Sequence, residues 1–222
     1  MKASVIVLTA LGALAAATIV GCGGASNSAL SPVPSHQPAG AVRPNATPTP
    51  IQLVPGTTVG TAVFPEGDTA TGGQGQQVDG INCRSSLNNQ FHHHVHLSLF
   101  VNGEQIAVPR GTGMKDPGKS NFIYHASCFY FLHTHDTTGI IHIEPKTDET
   151  FTLKQYFDEW GEPLSVNGFA GYTGAVAVYL NGVLQQGMDP NAIVFSPFLQ
   201  ITLVIGTPPQ WIPDYIFPAG YP

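Results

Sequence analysis

FHHHVHLSLFVNGEQIAVP, residues 91–109, is the stretch on which the fold turns. Two runs of alternating apolar residues flank Asn102-Gly103, the pair best suited to a tight turn with positive φ at both central positions, so the stretch reads as a β-hairpin. Side chains on a strand alternate between faces. Phe91, His93, Val95, Leu97, Leu99 and Val101 therefore line one nearly apolar face and should meet the core. His92, His94 and His96 fall on the other. Working outward, AVAVYLNGVLQQ (residues 175–186) repeats the device around Asn181-Gly182. Another hairpin is expected from Cys128–Thr134, turning over Asp136–Gly139 and returning through Ile140–Glu144. A last strand covers Leu199–Ile205.

One helix stands among these strands. Thr152 and Gln155 form a capping box, with Phe151 and Tyr156 placed for a hydrophobic staple. Leu153, Tyr156, Phe157 and Trp160 recur on one helical stripe, and Gly161 ends the element. This order predicts an α+β domain, mainly β, over residues 78–208. Its short helix packs on a single sheet in the β-grasp manner. The alternative is an Ig-like or cupredoxin-like β-sandwich with the helix in a crossover. Residues 209–222, rich in Pro and aromatics, form a tail.

The chain has 222 residues, 42% of them hydrophobic, enough for a real core, but only 10% charged. Its net charge of -6 leaves no basic patch for a nucleic-acid backbone. Neither Gly-x-Gly-x-x-Gly after a strand nor Gly-x-x-x-x-Gly-Lys-Ser/Thr occurs, so no nucleotide is expected. No Gly-x-Ser-x-Gly nucleophile elbow is present either.

Lys2, the apolar run Val5–Val20 and then Ile19-Val20-Gly21-Cys22 form a processing signal. These residues resemble a bacterial lipobox. The resemblance implies removal of residues 1–21, lipidation of Cys22, and an extracytoplasmic protein anchored through lipid to an outer membrane or cell surface. From there to residue 77, Pro, Gly, Ser, Thr and Ala predominate, which reads as a disordered tether spanning 22–77. Ile51, Leu53, Val54, Val59, Val63 and Phe64 could still place a short strand on the domain. Export leaves Cys83 and Cys128 as an even pair, which reads as a disulfide closing a loop of about 45 residues. The rival reading makes their thiolates metal ligands.

Eight of the nine histidines fall between residues 92 and 142. If the second hairpin pairs residue 133 with 142, then His133, His135, His142 and Glu144 share a face, with opposed Cβ atoms about 5 Å apart. A Cys83–Cys128 bridge would draw this hairpin toward the first strand, so that His94 and His96 could join His133, His135 and His142 around one ion. His92, Asp136 and Glu144 are alternative or supporting ligands. Imidazole donors suit copper or zinc, while two His plus Asp136 or Glu144 would suit non-haem iron. With only Met114 and Met188 beyond the signal, a thioether-rich Cu(I) site is not expected.

His94-Val95-His96 resembles the His-x-His of cupins, but Leu97–Val101 lack the Glu that should follow, which argues against that family. Residues 92–101, 133–144 and 151–161 resemble uncharacterised secreted microbial proteins bearing His-x-His and His-Thr-His-Asp-x-Thr-Gly segments. That resemblance implies a shared domain and carries no activity. The sequence thus predicts a lipid-anchored protein binding copper or zinc. The alternatives are a metal-dependent enzyme and a surface interaction module whose histidines are structural. No substrate or reaction is identified.

Overall fold

The computed structural model describes residues 48–222 except residue 88. The signal segment, Cys22 and the start of the expected tether lie outside the described residues. Among these, no helix is long and apolar enough to cross a membrane.

In chain order the strands are β1 (Ile51–Gln52), β2 (His93–Val101), β3 (Glu104–Ile106), β4 (Met114–Lys115), β5 (Cys128–Phe129), β6 (Leu132–His133) and β7 (Ile140–Ile143). Helix α1 (Leu153–Trp160) follows. Then come β8 (Leu164–Ser165), β9 (Gly168–Phe169), β10 (Tyr172–Thr173), β11 (Val176–Leu180), β12 (Val183–Gln185), β13 (Gln200–Ile205) and β14 (Tyr215–Ile216). The fold is α+β and mainly β, as the pattern predicts.

The main sheet runs β12-β11-β13-β2-β7-β6, with β3 also paired to β2. At its centre β2 and β13 lie side by side and parallel, Leu99 opposite Leu203. One edge of β2 is shared end to end, by β7 along His93–His96 and by β3 along Leu99–Val101. Both Asn-Gly turns adopt the required backbone, with φ of 51° and 86° at Asn102-Gly103 and 48° and 77° at Asn181-Gly182. Three small sheets accompany the main one: β1-β14, β4-β5 and β8-β9-β10.

Val95, Leu97 and Leu99 of β2 pack with Leu153, Tyr156, Phe157 and Trp160 of α1 in one apolar cluster. The capping box forms as predicted. Thr152 Oγ1 accepts from the Gln155 N–H at 3.3 Å, and Gln155 Oε1 accepts from the Thr152 N–H at 2.9 Å. Gly161 closes the helix in the left-handed region at φ 80°. Thr152→Ala is expected to cost about 1 kcal/mol, read as a lower urea midpoint with an unchanged slope.

One expectation, the extent of the tether, is corrected. From residue 48 onward the predicted tether belongs to the folded unit. Leu53 is buried, β1 pairs in parallel with β14, and Thr61 bridges Ile106. This segment shows no periodicity because it takes its backbone partners from the edges of other elements. Its glycines are steric requirements. Gly72 and Gly73 close over the end of α1, where a Cβ on Gly72 would lie 2.4 Å from the Glu159 carbonyl oxygen. The tail is likewise docked, through Tyr215 against Leu53 and Ile140.

The strand expected over 128–134 is broken. Its first part, β5, pairs with β4, and only β6 reaches β7. Cys83 and Cys128 form the disulfide, with Cα atoms 5.5 Å apart, so the thiolate-ligand reading falls away.

Candidate metal centre

Register builds the site. Across the ladder β2-β7-β6, His94 is paired with His142 and His142 with His133, which sets three imidazoles in one row on one sheet face. Strand alternation adds His92 and Glu144 to that face one step along. His135, just past β6, turns back so that its ring centre is 4.3 Å from that of His142. The result is two overlapping groups of potential ligands, His133, His135, His142 and Glu144 in one and His92, His94 and His142 in the other. Within each, the donor atoms lie within 4.8 Å of one another.

Hydrogen bonding fixes the tautomers. His133 Nδ1 lies 3.0 Å from the Tyr130 carbonyl oxygen, and His135 Nδ1 contacts that of Ile123. A carbonyl can only accept, so both Nδ1 atoms carry the proton. In a neutral ring the other nitrogen is then bare. Those two bare atoms, His133 Nε2 and His135 Nε2, face each other at 3.1 Å. Protonating one ring would relieve the opposition, but burial opposes it. His133 is held well below the ordinary imidazole pKa by desolvation and then by His135, and His135 is lowered by desolvation.

In the second group one ring is aimed in the same way. His94 Nδ1 donates to the main-chain oxygen of Pro222 at 3.1 Å, leaving Nε2 bare 3.1 Å from His142 Nδ1. His92 Nε2 lies 3.2 Å from the same His142 atom. Burial pushes His94 down to about 4 and lowers His92 and, further, His142. Donors bound to an ion at 2.0–2.1 Å sit about 3.3 Å apart in a tetrahedron, near the spacings found here. Second-partner hydrogen bonds from Nδ1 to main-chain oxygens are the usual means of aiming imidazoles at a metal.

Glu144 Oε1 lies 3.3 Å from His92 Nε2, 3.7 Å from His133 Nε2 and 3.9 Å from His142 Nδ1. Burial pushes its carboxyl up to about 7. The cover is aromatic. Tyr221 stacks on His94 with ring centres 4.3 Å apart, and Phe122 stacks on His135 at 4.7 Å.

Of the ligands predicted, the structure brings together His94, His133, His135, His142 and Glu144, and promotes His92 from alternative to full member. It corrects two others. His96 lies one row away, opposite Ile140. Its Nε2 donates to the Thr138 carbonyl at 2.9 Å, Ser98 Oγ is 3.4 Å from Nδ1, and the ring packs on Tyr215, so it pins the β6–β7 turn and lies outside both ligand groups. Asp136 also serves that turn, its carboxylate accepting from the Gly56 N–H at 2.7 Å and the Thr138 N–H at 2.9 Å. Sequence reasoning missed Tyr130, Ile123 and Pro222, which act through main-chain oxygens and so leave no side-chain signature. The tail aromatics, Tyr221 among them, were visible but could not be assigned to the site.

Comparisons with protein families, with curated proteins and with solved structures found no match for this chain.

Proposed function

We propose that the protein is an extracytoplasmic lipoprotein, anchored to a membrane through Cys22, that binds copper or zinc through the cluster of His92, His94, His133, His135 and His142 with Glu144. The observation that carries the metal is the bare Nε2 pair of His133 and His135, 3.1 Å apart, with His133 fully buried and His135 half-buried. Opposed lone pairs away from water repel unless a cation lies between them. The donor set favours copper or zinc because it is rich in imidazole, and Cys83 and Cys128 are held in a disulfide and offer no thiolate. The anchor is supported by the order Lys2, Val5–Val20, Ile19-Val20-Gly21-Cys22 and by a disulfide, which suits an oxidising compartment.

The test is elemental analysis of the full chain, purified in detergent without chelator or a metal-affinity tag. Copper or zinc in stoichiometric amount is expected. Failure to take up either ion, even on addition, sinks the metal reading. Separately, Cys22→Ser is expected to release the protein from the membrane fraction and abolish incorporation of labelled palmitate. A variant that still pellets with membranes rules out the anchor. Glu144 favours one further reading, a metal-dependent enzyme. A carboxylate set among the imidazoles is placed to take and return a proton of a water held on the ion.

A further inference from the structure

We propose that the centre holds two metal ions, one bound by His133 and His135, the other by His92, His94 and His142, with the Glu144 carboxylate reaching both. The inference rests on the metal-binding reading above and deepens it.

Donor supply comes first. The two groups together offer five imidazoles and a carboxylate. A lone copper or zinc ion in a protein takes about four donors, and five imidazoles around one centre crowd each other. His142 is the one residue common to both groups. Its Nδ1 lies 3.1 Å from His94 Nε2 and 3.2 Å from His92 Nε2, which commits that nitrogen to the second group. A single lone pair points at one ion. The first group then retains the Nε2 atoms of His133 and His135, 3.1 Å apart.

Glu144 lies between the groups. Its Oε1 is 3.3 Å from His92 Nε2 on one side and 3.7 Å from His133 Nε2 on the other. Among the hydrogen bonds of the described residues none engages the Glu144 side chain, and its Oε1 approaches imidazoles of both groups. A carboxylate in this place is the usual bridge between ions about 3.5–4 Å apart. The partition gives the first ion two imidazole nitrogens and the second three, with the shared carboxylate on both, so that only the first falls short of four protein donors.

Ring orientation is set separately in each half. His133 and His135 are aimed by the carbonyls of Tyr130 and Ile123 from the β6 side, and His94 by the main-chain oxygen of Pro222 from the tail. Two independent sets of supports fit two ions better than one ion drawn between them.

The experiment titrates the chelator-stripped full chain in detergent with Cu(II) and counts bound ions by native mass spectrometry and elemental analysis after desalting. Two coppers per chain are expected at saturation. His92→Ala and His94→Ala should each reduce the count to one, as should His133→Ala combined with His135→Ala. A parent protein that saturates at one copper overturns the two-ion inference and leaves metal binding standing. A parent that binds none sinks both. Electron paramagnetic resonance of the parent needs no variant to fold. On adding the second equivalent, the signal per copper should fall to roughly half or less as neighbouring Cu(II) spins couple at the separation stated above. Signal that doubles with unchanged line shape means the ions are not neighbours, and overturns the inference.

Discussion

His133→Ala is expected to weaken copper or zinc binding by about a hundredfold or more. His133 is fully buried, its ring held by the Tyr130 carbonyl with Nε2 set against His135. A four-ligand protein site binds zinc with roughly 10–16 kcal/mol, so one ligand's share is about 3 kcal/mol, which is two orders of magnitude in affinity. Competition against a chromophoric chelator measures it. A thermal melt gives a second reading, since an ion that binds only the folded state raises the midpoint. The parent should shift on metal addition and the variant should shift far less.

His96→Ala is the control. Its ring is equally buried but has both nitrogens engaged elsewhere. It should lose stability, by about 1–3 kcal/mol for the orphaned Thr138 carbonyl and the cavity, and keep the parent's metal affinity. If the two variants bind metal alike, the assignment of ligands is wrong.

Asp68→Asn is expected to raise stability at pH 8 by several kcal/mol and to change little at pH 4. Asp68 Oδ2 and both carboxylate oxygens of Glu159 are buried with no hydrogen-bond partner. Desolvation is the main cause pushing Asp68 from 3.8 up to about 8, and it holds Glu159 well above the usual carboxyl range, with Asp68 adding to it. The sign follows from proton counting. Between pH 4 and 8 the unfolded chain has lost a proton that the folded chain keeps, so stability falls as pH rises through that window and levels off above it.

For Asp68 the span corresponds to something on the order of 5 kcal/mol. Asparagine can keep the acceptor for the Gly113 N–H at 2.8 Å while removing the ionisation. Buried imidazoles act in the opposite sense, since their lowered pKa values cost stability as pH falls. The difference between variant and parent therefore isolates the carboxyl. Urea midpoints from pH 4.5 to 8.5 decide it, and parallel profiles for the two proteins would refute the account.

Local chemistry was legible. The two Asn-Gly turns, the Thr152 cap, the Gly161 stop and the pairing of His133 with His142 each depend on residues close in sequence, where a turn or a helical period fixes geometry. The choice between His92 and His96 was not legible. Alternation assigns His92, His94 and His96 to one face, but which of them meets His142 depends on the register of β2 against β7, and no short turn joins those strands. Residues 48–77 were hidden for a related reason. Leu53 and the paired glycines at 72–73 answer to Tyr215 and to the end of α1, and neither constraint leaves a periodic trace in its own segment.

The parallel pairing of β2 with β13 dictates an order of assembly. A chain emerging from its N-terminus presents His92 and His94 long before Gln200–Ile205 exists to flank them, and the main-chain oxygen that orients His94 comes 128 residues later. Contacts so distant along the chain form late and slowly. The half of the cluster that contains His94 is therefore completed late in folding.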